Sequence, residues 1–376
     1  MTKAGLEDVI AANSAICDII GPEGKLTYRG IDIHDLARHS SFEETTYLLW
    51  FGTLPTPEAL QRFGADLAAH RALPEPILRL MRDFPRTATP MDALRTAVSA
   101  LAFYDPQAHD SSEGANVAKA LRVTAQTATI VSAYEQLRRG REPLSPSTQG
   151  SHAESFLRML FNAEPDPLSV KAMDLALILH ADHELNASTF AARVTAATLA
   201  DMYSAVVSAI GALAGPLHGG ANEQVMKMLQ AIGDPERAEA YVTQTLQAHK
   251  KISGFGHRVY RTEDPRATHL RNMSRELGEH VGNLRWYEIS RKLEEVVMQQ
   301  KHLYANVDFY SASCYFTMGI PIDMFTPVFA TSRVAGWTAH ILEQYHDNRL
   351  IRPRAEYIGL KDVPYVPMDR RVKAAS

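Results

Sequence analysis

The chain has 376 residues, 45% hydrophobic and 22% charged, with a formal net charge of −4; this length buries a sizeable core, usually in two domains, and the charge offers no general attraction to nucleic acid. No apolar run approaches the roughly 20 residues of a membrane span, and Met1 to Asp8 lack the apolar stretch of a signal peptide. Two cysteines, Cys17 and Cys314, form neither a disulfide framework nor a metal-ligand pattern, so a cytoplasmic protein without nucleic-acid or membrane partners is expected.

In chain order, the first signal is β. Residues 15–31 hold two short apolar runs around Gly21-Pro22-Glu23-Gly24, the pattern of a small hairpin. From Ser41 the pattern turns helical: Ser41-Phe42-Glu43-Glu44 is a capping box before an apolar run that stops at Gly52. Thr56-Pro57-Glu58 opens a helix to about His70, with proline at its first position. Further helices are expected over 90–104, 114–140 and 151–162. Residues 168–214 contain no proline and one glycine, Gly211. Asn186-Ala187-Ser188-Thr189 divides them into a helix from Ser169 to about His183 and a second reaching about Ala214. The second is apolar or small nearly all round, which marks a buried helix at the centre of the molecule that another helix can approach closely.

After Gly233 the charge density rises up to about residue 303, with Asp234-Pro235 and Asp264-Pro265 as helix starts. An apolar helix returns from Phe325 to about Tyr345. This shift predicts a smaller, more solvated domain over 216–314, inserted in a larger helical one formed by 1–215 and 315–376, with a ligand site in the cleft between them. Pro353, Pro364 and Pro367 keep the tail from Arg349 extended. Strands and helices do not alternate as a parallel sheet requires. The expected fold class is all-α with a small N-terminal β-hairpin.

The chain's organising stretch is Gly215-Pro216-Leu217-His218-Gly219-Gly220-Ala221-Asn222-Glu223. Its glycines permit close backbone approach, and Asn222 is placed to cap the next helix. His218 is then either an incidental turn residue or an imidazole at a junction open to a ligand. His180-Ala181-Asp182-His183 sets two imidazoles one helical turn apart. The His-Glu-x-x-His pattern and a nearby third ligand are missing, so no metal is expected; one of the two histidines is structural, and His183 is the better site candidate. Gly254-Phe255-Gly256-His257-Arg258 is a second glycine-flanked histidine, its exposed backbone suited to a nucleotide base or a phosphate. Arg266, in the first turn after Asp264-Pro265, opposes the helix macrodipole; a bound anion would account for it, and so would exposure to solvent. Asp308, in Asn306-Val307-Asp308-Phe309-Tyr310, suits an N-cap or a general base. Arg333 stands among small and apolar residues and needs either a local carboxylate or a substrate. Arg352-Pro353-Arg354 reads as a basic patch on the tail.

Isolated histidines, arginines and one aspartate, without a nucleophile elbow, phosphate loop or metal motif, point to one chemistry by elimination. Arginines bind carboxylates, neutral imidazoles donate to a carbonyl oxygen gaining charge, and a carboxylate removes a proton. That is the equipment for joining an enolisable acyl group to a keto acid.

The segments Leu179 to Thr189, Gly215 to Glu223, Gly254 to Tyr260 with Asp264-Pro265-Arg266, and Asn306 to Tyr310 resemble those of citrate synthases, in order and over essentially the full chain. The resemblance implies an almost wholly helical fold of a large and a small domain, working as a homodimer with sites near the subunit interface. It implies that Asp308 takes a proton from the methyl of acetyl-CoA, that His218 hydrogen-bonds the thioester oxygen, and that His257 polarises the ketone of oxaloacetate. Arg266, Arg333 and His183 would hold oxaloacetate, joined by Arg352, in preference to Arg354, from the partner subunit. Residues Ile252, Gly254, Phe255 and Gly256 would contact the CoA adenine. Citryl-CoA would be hydrolysed in the same site, with acetyl-CoA and CoA as co-substrate and product and no permanent cofactor or metal. The start close to the hairpin, without the extension of the NADH-inhibited hexameric members, implies a simple dimer without NADH control. The alternative is 2-methylcitrate synthase acting on propionyl-CoA, since one methylene discriminates by only about 1–3 kcal/mol.

Overall fold

The computed structural model describes residues 4–6 and 9–371; the opening Met1 to Asp8, expected to hold no signal peptide, lies mostly outside them. The hairpin forms as expected. Strand β1 (Cys17–Ile20) pairs antiparallel with β2 (Lys25–Tyr28), Cys17 opposite Tyr28 and Ile20 opposite Lys25. A 3-10 turn, Gly21–Glu23, joins them and closes through Gly24 at φ 63°, a left-handed conformation that glycine adopts freely. A two-residue β3 (Ile31–Asp32) adds to β2, a third strand too short to show periodicity in the sequence.

The helix starts follow their capping residues. Ser41, Thr56, Ser112, Ser151 and Asp166 accept backbone N–H groups at the starts of α2 (Phe42–Phe51), α3 (Pro57–Ala69), α6 (Glu113–Arg138), α7 (His152–Phe161) and α8 (Pro167–His180). Helix α5 (Pro90–Leu101) is capped by Thr89. Three helices go beyond the expected set: α1 (Ile33–His39), α4 (Glu75–Arg82) and α14 (Arg285–Lys301).

One expected helix is broken. The helix predicted to run unbroken to about Ala214 is two, α9 (Ala187–Ala196) and α10 (Met202–Leu213). Leu199 turns the chain at φ 62° and is 70% exposed, and Asp201 caps α10 by accepting from Ser204 N at 3.0 Å. The chain folds back so that α9 and α10 pack on each other, and Ala192, Ala196, Val206, Ala209 and Ile210 are fully buried. The burial inferred from small residues is right and the continuity is wrong.

Helix α16 (Phe325–His346) runs through the core against α2, α6, α8, α9 and α10. Helices α11 (Ala221–Ile232), α12 (Ala238–Gln247), α13 (Pro265–His280), α14 (Arg285–Lys301) and α15 (Val307–Thr317) pack largely on one another. This second group meets the first where α13 touches α1 and α8 and where α11 touches α16. Asn222 does not cap α11. Gly220 precedes the helix without a side-chain cap, and Asn222 is buried in the first turn, where its Oδ1 meets only Glu223 N. Among the described residues, the tail beyond Asp347 forms no helix or strand apart from a 3-10 turn at Met368–Arg370, and leaves Ile358 and Tyr365 largely uncovered. Among the described residues, no helix is long and apolar enough to cross a membrane.

Candidate active site

A cavity of about 400 Å³ opens where the loops after α8, after α10 and before α13 meet the start of α15 and one face of α16. His183, His218, His257, Arg266, Asp308 and Arg333 all line it. Positions scattered over 150 residues thus share one chamber.

His218 is aimed by the glycines around it. Gly219 N donates to Leu213 O at 3.0 Å, and a Cβ on Gly219 would stand 2.4 Å from that same oxygen, so only glycine lets the turn close on the end of α10. The ring's Nε2 faces Ser188, whose backbone N–H donates to it at 3.3 Å and whose Oγ lies 2.8 Å away. Trp337 Nε1 donates to the same Oγ at 3.1 Å and fixes the hydroxyl in place. A backbone N–H only donates, so Nε2 holds the lone pair and the proton sits on Nδ1. Burial, with the Arg333 charge, pushes His218 down to about 4.

His257 has the opposite tautomer for the same kind of reason. Its Nδ1 accepts the backbone N–H groups of Val259 and Tyr260 at 3.0 and 3.1 Å, which leaves the proton on Nε2. Burial and then Arg266, opposed by Asp264, hold it near 4. His183 is pushed well below the usual histidine range by burial, followed by Arg266 and His257. All three imidazoles are therefore neutral at physiological pH, each with one N–H donor. His180 turns into the core, with Nδ1 at 2.8 Å from Ala176 O.

Asp308 is not the cap of α15. Asn306 takes that role: its Oδ1 accepts from Asp308 N at 3.1 Å, and its Nδ2 donates to Gly256 O at 3.0 Å. One asparagine thus ties the start of α15 to the loop that carries His257, and the Asp308 carboxylate is left to face the cavity. Burial raises its pKa to about 6, against the pull of Arg266 and Arg333 and with a further push from Asp264. A carboxylate at 6 is a better base than an ordinary one and is still ionised at neutral pH.

The two arginines differ. Arg266 is 2% exposed, which rules out the solvent-facing reading. Its Nε and Nη2 form a bidentate pair with Asp264 at 2.9 and 2.8 Å, which offsets the macrodipole. Asp264 also accepts Arg266 N and Val307 N, so it couples the starts of α13 and α15. Arg333 is equally buried but has no such partner. Its Nε donates to His180 O at 2.6 Å, its guanidinium lies 4.6 Å from the Phe329 ring centre, and no carboxylate hydrogen-bonds it among the described residues. Burying an unpaired guanidinium is costly, which favours an anionic ligand as its partner.

The structure does not bring every expected residue to this cavity. Arg352 and Arg354 lie on the exposed tail and are not part of its wall. Ile252 is buried, Gly254 packs on Val225 and Phe309, and the Phe255 ring packs at a tilt on Phe309 with centroids 4.6 Å apart. Gly256 instead lines a neighbouring cavity of about 180 Å³ shared with His257. Sequence reasoning left Asp264, Ser188, Asn306 and Tyr260 without roles; the Asp-Pro and Asn-Val-Asp patterns signal caps, and nothing in a linear pattern shows what else those side chains reach. Among the described residues, no three His, Cys, Asp or Glu side chains converge as a metal site requires.

Neutral donors, guanidiniums and a buried carboxylate around one chamber define an enzyme that makes a carbon nucleophile beside an anionic acceptor. The family model described as citrate synthase, C-terminal domain, matches residues 5–354. The chain is 50% identical to a citrate synthase of Haloferax volcanii over 374 residues, covering 98% of this chain and 99% of that one. It is 40% identical to a 2-methylcitrate synthase of Shewanella oneidensis, covering 99% and 98%. A solved citrate synthase of Thermoplasma acidophilum, in ternary complex with carboxymethyl coenzyme A and oxaloacetate, matches with a TM-score of 0.92 at 34% identity, covering 98% of each chain. The chain belongs to the citrate synthase family. It is an acyltransferase, and its higher identity to a citrate synthase than to a 2-methylcitrate synthase decides for the citrate-forming reaction.

Proposed function

We propose that the cavity condenses acetyl-CoA with oxaloacetate and hydrolyses the resulting citryl-CoA. The observation behind this reading is that Asp308, with its raised pKa, and two imidazoles of fixed and opposite tautomer line one chamber. Asp308 removes a proton from the acetyl methyl while His218 Nδ1–H donates to the thioester oxygen, so that negative charge never stands alone there. The enolate carbon attacks the ketone carbon of oxaloacetate; the carbonyl electron pair moves to oxygen, where His257 Nε2–H stabilises the charge by a hydrogen bond, and the new hydroxyl takes up the proton that Asp308 releases, which returns Asp308 to its ionised form. Water then cleaves the thioester and CoA leaves as the thiol. Arg333 through its Nη groups, Arg266 through Nη1, and His183 hold the carboxylates of the keto acid.

Each step uses this chain's own acids and bases, so the reaction needs no resident cofactor or metal, and CoA comes and goes as co-substrate. The reading includes a cytoplasmic homodimer in which Arg352 of one tail completes the partner's site. The uncovered Ile358 and Tyr365, at 93% and 82% exposure, support a tail that lies against a second copy. It also includes closure of a small domain, 216–314, on the large one, 1–215 and 315–376, which would desolvate Asp308 further, with residues 252–256 against the adenine. Asp308→Asn tests the central role: oxaloacetate binding should persist while thiol release from acetyl-CoA is lost. Unimpaired thiol release by that variant would refute the assignment.

A further inference from the structure

We propose that Tyr260 is a positioning residue of this site, setting the tautomers of both His183 and His257 and hence the hydrogen-bond donors they offer to the keto acid. The inference rests on the reading that the cavity binds oxaloacetate.

Tyr260 touches the two imidazoles with two different groups. Its backbone N–H donates to His257 Nδ1 at 3.1 Å, beside the N–H of Val259. Its hydroxyl lies 3.3 Å from His183 Nε2. The ring packs between these contacts, with centroids 4.6 Å from His257 and 5.6 Å from His183. Tyr260 is 3% exposed and lines the small cavity shared with Gly256 and His257. A buried phenol needs an acceptor, and among the described residues His183 Nε2 is the group in reach. The hydroxyl therefore donates, Nε2 holds the lone pair, and the His183 proton sits on Nδ1. With the other tautomer, Tyr260 O–H would lose its acceptor and His183 would offer a lone pair in place of a donor.

The platform under Tyr260 is firm. Arg261 N donates to Gly21 O at 3.1 Å, which docks the segment on the hairpin turn. His183 and His257 stand edge to face at 5.2 Å, so one tyrosine orients two neighbouring rings.

The test is Tyr260→Phe, which keeps the ring and the backbone N–H and removes only the hydroxyl. KM for oxaloacetate should rise on the order of tenfold, as for a lost buried hydrogen bond, while kcat changes by less than about threefold because the His257 contact is intact. In the resting protein labelled with ¹⁵N-histidine, NMR should find His183 protonated at Nδ1 and His257 at Nε2. In Tyr260→Phe, His183 should shift toward the Nε2–H form and His257 should not. In a His183→Asn background, whose amide nitrogen replaces Nδ1 and ignores the hydroxyl, Tyr260→Phe should add no further rise in KM. His183 protonated at Nε2 in the unmodified protein, or an equal KM effect in both backgrounds, would overturn the proposal. The NMR readout on the unmodified protein needs neither the variant to fold nor the enzyme to turn over, so failure of the proposed reaction remains distinguishable.

Discussion

The raised pKa of Asp308 gives the most quantitative consequence of this structure. The base must be ionised to act, and burial lifts it to about 6. The three site histidines stay neutral, since His218 and His257 titrate near 4 and His183 lies well below its usual range. The keto-acid carboxylates titrate in the ordinary carboxylate range, about 4. A profile of kcat/KM, which reports groups of the free enzyme, should therefore show one acid limb of unit slope with its midpoint near pH 6. At pH 5 about one tenth of Asp308 is ionised, so the rate should be about tenfold below its plateau. Arg333 lies among the charges that hold Asp308 down. Arg333→Gln should thus move the limb to higher pH, in addition to weakening oxaloacetate binding. The assay is continuous thiol release between pH 5 and 8, with refolding controls at each end. A flat profile down to pH 5, or a limb that Arg333→Gln moves toward lower pH, would refute the argument.

Two further outcomes follow from packing. A Cβ on Gly21 would stand 2.3 Å from Val259 O, in the segment whose N–H groups set His257, so Gly21→Ala should reduce kcat on the order of 10–100-fold; an unchanged kcat would show that the loop relaxes freely. Asp174, in α8, accepts Phe42 N at 3.1 Å, and burial together with the charge of Glu43 raises its pKa to about 7. Because the folded protein holds this proton more tightly than the unfolded chain does, Asp174 contributes stability at low pH that is lost as the pH rises from about 4 through 7. Asp174→Asn keeps an acceptor for Phe42 N and removes the loss, so thermal scans should show a higher Tm than the unmodified protein at pH 8 and a much smaller difference at pH 4. A lower Tm at pH 8 would show that the carboxylate is ionised at no cost.

Much of this was legible in the sequence because the signals are local. Ser41, Thr56 and Ser151 announce their helices within one turn, and Gly-Pro-Glu-Gly announces the hairpin. The glycine-set histidines stood out for the same reason: the chain needs glycine where backbone approaches within 2.4 Å of a Cβ position, as at Gly219. The break between α9 and α10 was hidden, because small residues continue on both sides of it and Asp201 is its only strong local mark. The supporting contacts were hidden for a different reason. Asp264 reaches Val307 across 43 positions, Ser188 reaches His218 across 30, and Tyr260 reaches His183 across 77, and no periodicity encodes those distances. Asn222 misled because a capping residue type two positions past the true cap looks the same in sequence as a cap.

The central claim, that this chamber makes a carbon nucleophile from a thioester and directs it at a keto acid, is tested most directly by following free thiol from acetyl-CoA with and without oxaloacetate. The structure predicts rapid release only when both are present, unaffected by exhaustive chelation. Release that proceeds equally well without oxaloacetate would make the protein a thioesterase and contradict the account.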